Sequence, residues 1–169
     1  MAQVTLKGNP AQLKGELPKV DEKAKDFKVV KDDMSEISLA DYSGQVKVLI
    51  AVPSLDTSVC ALETRSFSQK LASKEGVTGI VISKDLPFAM KRYAEKNEVS
   101  NIINASDYRY NDFIGKYNVE IVDGPFKGLS ARAVFVVDKD DTIKYVELVP
   151  EIGEEPQYDK ALEVVDSLL

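Results

Sequence analysis

Lys47-Val48-Leu49-Ile50-Ala51-Val52-Pro53-Ser54-Leu55-Asp56-Thr57-Ser58-Val59-Cys60 is the stretch on which the fold turns. Its first half is rich in β-branched residues and nearly all apolar, and Pro53 ends it. That is the pattern of a central strand covered on both faces. A polar loop follows, and from Cys60 the spacing becomes helical. Cys60, Thr64, Phe67 and Leu71 recur at steps of four, three and four and share one face. Glu63, Arg65 and Lys70 are assigned mostly to the other faces.

Outward from this unit the pattern continues to alternate. Downstream, Val77-Thr78-Gly79-Ile80-Val81-Ile82-Ser83 predicts a second buried strand. Asp85-Leu86-Pro87 opens a helix through Phe88, Met90, Tyr93 and Ala94, with proline in the first turn, where its missing N–H costs little. Ile102-Ile103 is a short apolar stretch of strand character, and Tyr110 to Tyr117 predicts a short helix. Arg132 to Asp138 and Thr142 to Leu148 form a hairpin around Lys139-Asp140-Asp141. Tyr158 to Leu169 is an amphipathic helix with Ala161, Leu162, Val165 and Leu169 on its apolar side. Upstream, Gln3 to Lys7 and Ala11 to Lys14 predict a hairpin turning at Gly8-Asn9-Pro10. A second reversal is expected at Asp32-Asp33-Met34-Ser35. Strand–helix alternation predicts parallel pairing and the late hairpin adds antiparallel strands, so an α/β domain with a mixed central sheet and helices on both faces is expected. No repeat or long linker divides residues 1–169, which are read as one domain.

Composition narrows the chemistry. The chain has 22 basic and 28 acidic side chains, a net charge of −6, one Cys and no His. An acidic balance argues against a nucleic-acid surface, which needs clustered Lys and Arg. No apolar run approaches the ~20 residues that span a bilayer. The N-terminus lacks a basic start followed by an apolar stretch, so a cytoplasmic protein is expected. Without His, imidazole bases and the common His metal sites are excluded. One Cys rules out an internal disulfide, a multi-thiolate zinc site and a Cys-x-x-Cys oxidoreductase.

Cys60 falls where a helix begins, and unpaired N–H groups with the positive end of the helix dipole favour an anion there. Thiols in such places ionise more easily than in water. The plain alternative is a small buried hydrophobe. Thr57 is placed to cap the helix. Pro53 is a strand terminator. Arg132 stands out of pattern in Ala131-Arg132-Ala133-Val134-Phe135-Val136-Val137, and a buried Arg requires a carboxylate or another partner.

Pro53, Thr57 and Cys60 stand in the arrangement Pro-x-x-x-Thr-x-x-Cys, which resembles the active-site signature of the peroxiredoxins. Arg65 and Phe67 after it, Asp85-Leu86-Pro87-Phe88-Ala89, Gly128-Leu129-Ser130-Ala131-Arg132-Ala133-Val134 and the Gly8-Asn9-Pro10 hairpin are similar to the bacterial thiol peroxidases of that superfamily. The resemblance implies a thioredoxin-like fold with an N-terminal β-hairpin extension. It implies a cofactor-free, metal-free antioxidant enzyme reducing hydrogen peroxide and organic hydroperoxides. Cys60 would be the peroxidatic cysteine, oxidised to sulfenic acid, with Thr57, Arg132 and Pro53 around it. Thioredoxin or another thiol as reductant and a homodimeric assembly are implied as well.

The chain departs from that family in one respect. The helix after Asp85-Leu86-Pro87-Phe88 has Ala94 where the resemblance puts a resolving cysteine. A replacement that holds the reduced form and a natural one-cysteine enzyme both fit the sequence. Either way Cys60 would depend on an external thiol and be exposed to overoxidation. The rival reading is a non-catalytic redox sensor or interaction protein that joins partners through mixed disulfides.

Overall fold

The computed structural model describes residues 2–169; Met1, the first residue of the expected 1–169 domain, lies outside the described residues. Among the described residues, nine strands, four α-helices and a short 3-10 turn at Leu39–Tyr42 follow one another. The central strand β5 (Val46–Ala51) is buried at every position. It pairs in parallel with β6 (Val77–Ser83) and antiparallel with β8 (Ala133–Val137). Next to β6 runs β7 (Ile102–Ser106), again parallel. β3 (Lys28–Lys31) and β4 (Glu36–Ser38) extend one edge, and β9 (Ile143–Leu148) forms the other, giving the order β4-β3-β7-β6-β5-β8-β9. The mixed sheet expected from strand–helix alternation is therefore present.

Period-two alternation along the strands divides the interior in two. Val46, Val48, Ile50, Val134 and Val136 face a layer with Cys60 and Phe67 of α1 (Ser58–Leu71), Met90 and Tyr93 of α2 (Pro87–Asn97), and Ala161 and Val165 of α4 (Tyr158–Leu168). Leu49, Ala51, Ile80, Phe135 and Val137 face the opposite side. There they meet Phe113, Ile114 and Tyr117, from α3 (Asp112–Lys116) and its C-terminal flank, together with Phe27 and Val29. α3 is shorter than the expected Tyr110–Tyr117 because Asn111 takes a left-handed conformation and breaks the helix path ahead of it.

The N-terminal hairpin differs in detail from the reading of its sequence. β1 (Gln3–Leu6) and β2 (Asn9–Gln12) are joined by Lys7 and Gly8 alone, both at positive φ, so Asn9 and Pro10 already belong to the second strand. Two consecutive positive-φ residues make the tight turn that matches strand twist. Pro10 is tolerated because its partner Thr5 directs its own N–H away, to the Pro150 carbonyl.

Lys47 is the one charge inside the central strand, and it is fully buried. Its ammonium reaches the end of the sheet and donates to Asp141 Oδ1 at 2.6 Å and the Asp138 carbonyl at 3.0 Å, both in the β8–β9 turn. Removing one partner of a buried charge costs more than the pair contributes. Asp141→Asn keeps a residue suited to the left-handed backbone at this position (φ 63°) but removes the counter-charge. It is expected to lower stability by about 1–3 kcal/mol, read as a lower urea midpoint with an unchanged slope.

Candidate functional site

Sheet register brings distant residues to one place. Ala51, the last residue of β5, pairs with Ala133, the first of β8. Whatever follows β5 must therefore lie beside whatever precedes β8. Val52 continues the ladder to the Ile82 carbonyl at 3.1 Å, and buried Pro53, which has no N–H to donate, ends it. The chain then rises through Ser54–Thr57 into α1, while Arg132 stands one residue before β8.

Thr57 is the N-cap of α1. Its hydroxyl oxygen accepts from Cys60 N at 3.3 Å and its proton is donated to the Ser54 carbonyl at 3.0 Å. Cys60 thus occupies the first turn, its N–H taken by the cap and its side chain completely buried. The loop beneath is held from the next strand–helix junction. Asp85 Oδ1 accepts from Ser54 Oγ at 2.7 Å, while Oδ2 accepts from Leu55 N at 2.8 Å and Ser83 Oγ at 2.7 Å. In the sequence Asp85 reads as a helix opener; in the structure the N-cap of α2 is Leu86, and the Asp85 carboxylate is turned to the cysteine loop.

Arg132 is buried, and all three of its guanidinium nitrogens donate hydrogen bonds. Nε and Nη2 donate to the Ile152 carbonyl at 3.0 and 2.8 Å, and Nη1 donates to Glu63 Oε2 at 2.6 Å and to Cys60 Sγ at 3.2 Å. The arginine thus forms a buried ion pair with Glu63 and also reaches the Cys60 sulfur. Glu63 corrects the sequence assignment. It lies not on an outer face of α1 but inside, three residues after Cys60 and one turn along the same stripe. Burial pushes its carboxyl up to about 7, and the adjacent guanidinium pulls the other way. An out-of-pattern Arg demands a buried partner, which is the one signal in the sequence that could have drawn a charged residue of α1 inward, though it does not single out Glu63.

Thr57 and Ala61 also border a cleft of about 390 Å³ toward α2, with Ala89, Arg92 and Tyr93 on its far wall. Tyr93 ties the two helices by donating its hydroxyl to the Ala61 carbonyl at 2.8 Å. Ala94 follows it, half-buried, in the second half of α2. Thr57 and Arg132 both contact Cys60, Pro53 starts the loop that leads to it, and Ala94 lies on the neighbouring helix.

A capped cysteine at a strand-to-helix junction thus lies against a buried guanidinium in this sheet order. The Redoxin family model matches residues 19–162. A thiol peroxidase of Leptospira interrogans is 56% identical over 171 aligned positions, covering all of both chains. One of Aquifex aeolicus is 47% identical over 98% of each. Among solved structures, a peroxiredoxin-like protein from Aquifex aeolicus superposes with a TM-score of 0.95 at 46% identity, over 99% of this chain and 97% of that one. A thiol peroxidase from Chromobacterium violaceum shares the fold, with a TM-score of 0.90 at 22% identity over 98% and 95%. The chain belongs to the Redoxin family, and within it to the thiol peroxidases.

Two outcomes follow from the geometry. Asp85→Ala removes the acceptor of three hydrogen bonds, so amide exchange at Leu55 and Thr57 is expected to accelerate and stability to fall by about 1–3 kcal/mol. Hydrogen-exchange mass spectrometry over residues 53–58 reads the first effect. Glu63 binds its proton more tightly folded than unfolded. Stability from this group is therefore greatest below the ordinary pKa of 4.5 and declines as pH rises to about 7. Glu63→Gln lacks that titration, so the stability of the parent relative to the variant should fall between those pH values in urea titrations.

Proposed function

We propose that the protein reduces hydroperoxides with the Cys60 thiolate. The observation that carries this reading is the buried contact of Arg132 Nη1 with Cys60 Sγ at 3.2 Å. A guanidinium that close, in a site without bulk water, favours sulfur as the anion with no imidazole needed. The family assignment supports a hydroperoxide as the substrate and a thiol as the reductant.

The thiolate attacks the terminal peroxide oxygen, the O–O bond breaks, and sulfur becomes sulfenic acid. The departing alkoxide or hydroxide takes up a proton and leaves as alcohol or water. Peroxide is reduced by two electrons and sulfur oxidised by two. Arg132 is proposed to steady the charge that spreads over the peroxide oxygens, as donors aimed at developing charge do. Thr57, whose oxygen already accepts from Cys60 N, holds the helix start and offers a lone pair to the peroxide O–H. Pro53 keeps water from the sulfur. Because Cys60 is sealed in the resting structure, substrate reaches it only when the Thr57–Ala61 wall of the cleft shifts.

With no second cysteine, the sulfenic acid is resolved by an external thiol: its sulfur attacks Cys60, water leaves, and a further thiol breaks the mixed disulfide. Thioredoxin is the proposed source of electrons where it can act directly on that mixed disulfide. A cytoplasmic, homodimeric antioxidant enzyme is the accompanying proposal, and exposed Leu86 and Phe88 at the start of α2 offer an apolar surface for a second copy.

Quenched-flow trapping of the sulfenic acid with a dione reagent tests the central step. Peroxide should oxidise Cys60 orders of magnitude faster than free cysteine at the same pH. Cys60→Ser should abolish the product, and Arg132→Lys, which keeps charge but loses the planar fork, should slow it roughly 10–100-fold. A parent rate equal to that of free cysteine would instead support the sensor reading.

A further inference from the structure

The guanidinium of Arg132 is oriented from behind by one carbonyl. Ile152 O takes both Nε and Nη2, which sets the plane of the group and leaves Nη1 aimed at Cys60 and Glu63. Two bonds from one edge of a planar fork to one acceptor are a directional constraint, not merely a neutralising one. The question is what holds Ile152.

Its loop has no regular secondary structure of its own and is gripped by the N-terminal hairpin. Thr5 N donates to the Pro150 carbonyl at 2.8 Å and Ile152 N donates to the Thr5 carbonyl at 2.9 Å, so β1 runs in parallel alongside it. The Ile152 side chain is buried with Val4, Ala11, Leu13 and Ile121, and with Ala131, the residue before the arginine. Glu151 completes the grip. Its Oε1 accepts from Gly8 N at 2.9 Å and Thr5 Oγ1 at 3.0 Å; its Oε2 accepts from Gly153 N at 3.1 Å and Lys7 N at 3.3 Å. The positive φ of Lys7 and Gly8 turns two successive N–H groups toward one side, a concave seat for an anion.

We propose that Glu151 is a positioning residue for Arg132: by locking the Pro150–Gly153 loop onto the hairpin turn, it keeps the Ile152 carbonyl where it orients the guanidinium. The hairpin extension is then part of the active-site support and not an appendage. Backbone hydrogen bonds from Gly153 and Gly8 hold the Glu151 carboxyl down at about 2, so the lock stays charged throughout the range in which a thiolate can work. Released from it, the loop keeps its backbone bonds to Thr5 but loses its fixed rotation, and the carbonyl drifts from the fork. Small displacements of a group that contacts the reacting atoms are costly in rate.

This inference rests on Cys60 and Arg132 being the reacting pair, and the test separates the two. Peroxide oxidation and iodoacetamide alkylation of Cys60 are timed in the parent, Glu151→Gln, Arg132→Lys and the double variant. Both reactions are timed on the pH plateau of the alkylation rate, where the sulfur is fully ionised in every variant, so alkylation uses the same anion but puts no charge on peroxide oxygens. Glu151→Gln should slow peroxide oxidation roughly 10-fold while alkylation changes by less than about 3-fold. In the Arg132→Lys background the same substitution should have almost no further effect, since the fork it acts through is gone. Equal slowing of both reactions, an unchanged peroxide rate, or an undiminished effect in the Lys background overturns the proposal. A slow parent would overturn only the peroxidase reading. Should Glu151→Gln unfold, Thr5→Val, which removes one side-chain donor and no backbone group, should slow peroxide oxidation by about 2–3-fold with alkylation unaltered; an unchanged rate there also counts against it.

Discussion

A buried guanidinium is the constraint on which the rest of this structure depends. Taking Arg132 out of water costs several kcal/mol unless its donors find partners of the right geometry. The protein supplies a carboxylate and a sulfur from α1 and a backbone carbonyl from the loop after β9. The same contacts that make the cation tolerable give the cysteine a charged neighbour at 3.2 Å. Stability and reactivity are therefore not separate demands here. The same cation faces a carboxyl and a sulfur, and at Glu63 burial pushes the pKa up while the guanidinium pulls it down.

Regular geometry does most of the assembly. The Ala51–Ala133 register puts the start of α1 beside Arg132. Helical periodicity then puts Glu63 one turn after Cys60 on the inward stripe, in reach of the same guanidinium. Only the third partner comes from irregular structure, and that part carries the densest extra bonding: a hairpin edge, a buried isoleucine and a carboxylate seated on four donors. Irregular segments lack internal hydrogen bonds to define them, so their precision must come from what packs against them.

The residues with chemical character were legible in the sequence: a lone cysteine after an apolar strand, a threonine three before it, and an arginine inside a β-branched run. The sheet followed from strand–helix alternation and from one late hairpin. Other features were not legible, for identifiable reasons. Glu63 reads as a surface residue because hydropathy patterns assign charges outward, and only the distant Arg132 reverses that choice. Asp85 sits where a helix cap is expected, and its actual targets, Ser54 and Leu55, are set by the pairing of β5 with β6. Glu151 lies in Pro150-Glu151-Ile152-Gly153, a stretch whose meaning depends entirely on a hairpin more than a hundred residues earlier. Asn9 and Pro10 look like turn residues, yet the two positive-φ positions are Lys7 and Gly8. Local chemistry proposes a turn, and register with the loop at Pro150 decides where it falls.

The single cysteine gives the proposed chemistry an asymmetry. Everything that the first step needs, a capped helix start, a guanidinium and a sealed sulfur, is built within this chain. The second step has no such provision. Tyr93 bonds the Ala61 carbonyl and packs α2 against α1, so the neighbouring Ala94 sits on a helix already docked beside Cys60. A methyl group there cannot trap a sulfenic acid. The oxidised sulfur must then wait for a thiol from solution, behind the same walls that shielded the thiolate from water. Opening those walls exchanges protection for turnover, and a second peroxide molecule competes with the thiol for whatever passes through. On the proposed chemistry, the balance between repair and irreversible oxidation then depends on how the short capped segment from Ser54 to Ala61 yields as well as on the reactivity of Cys60.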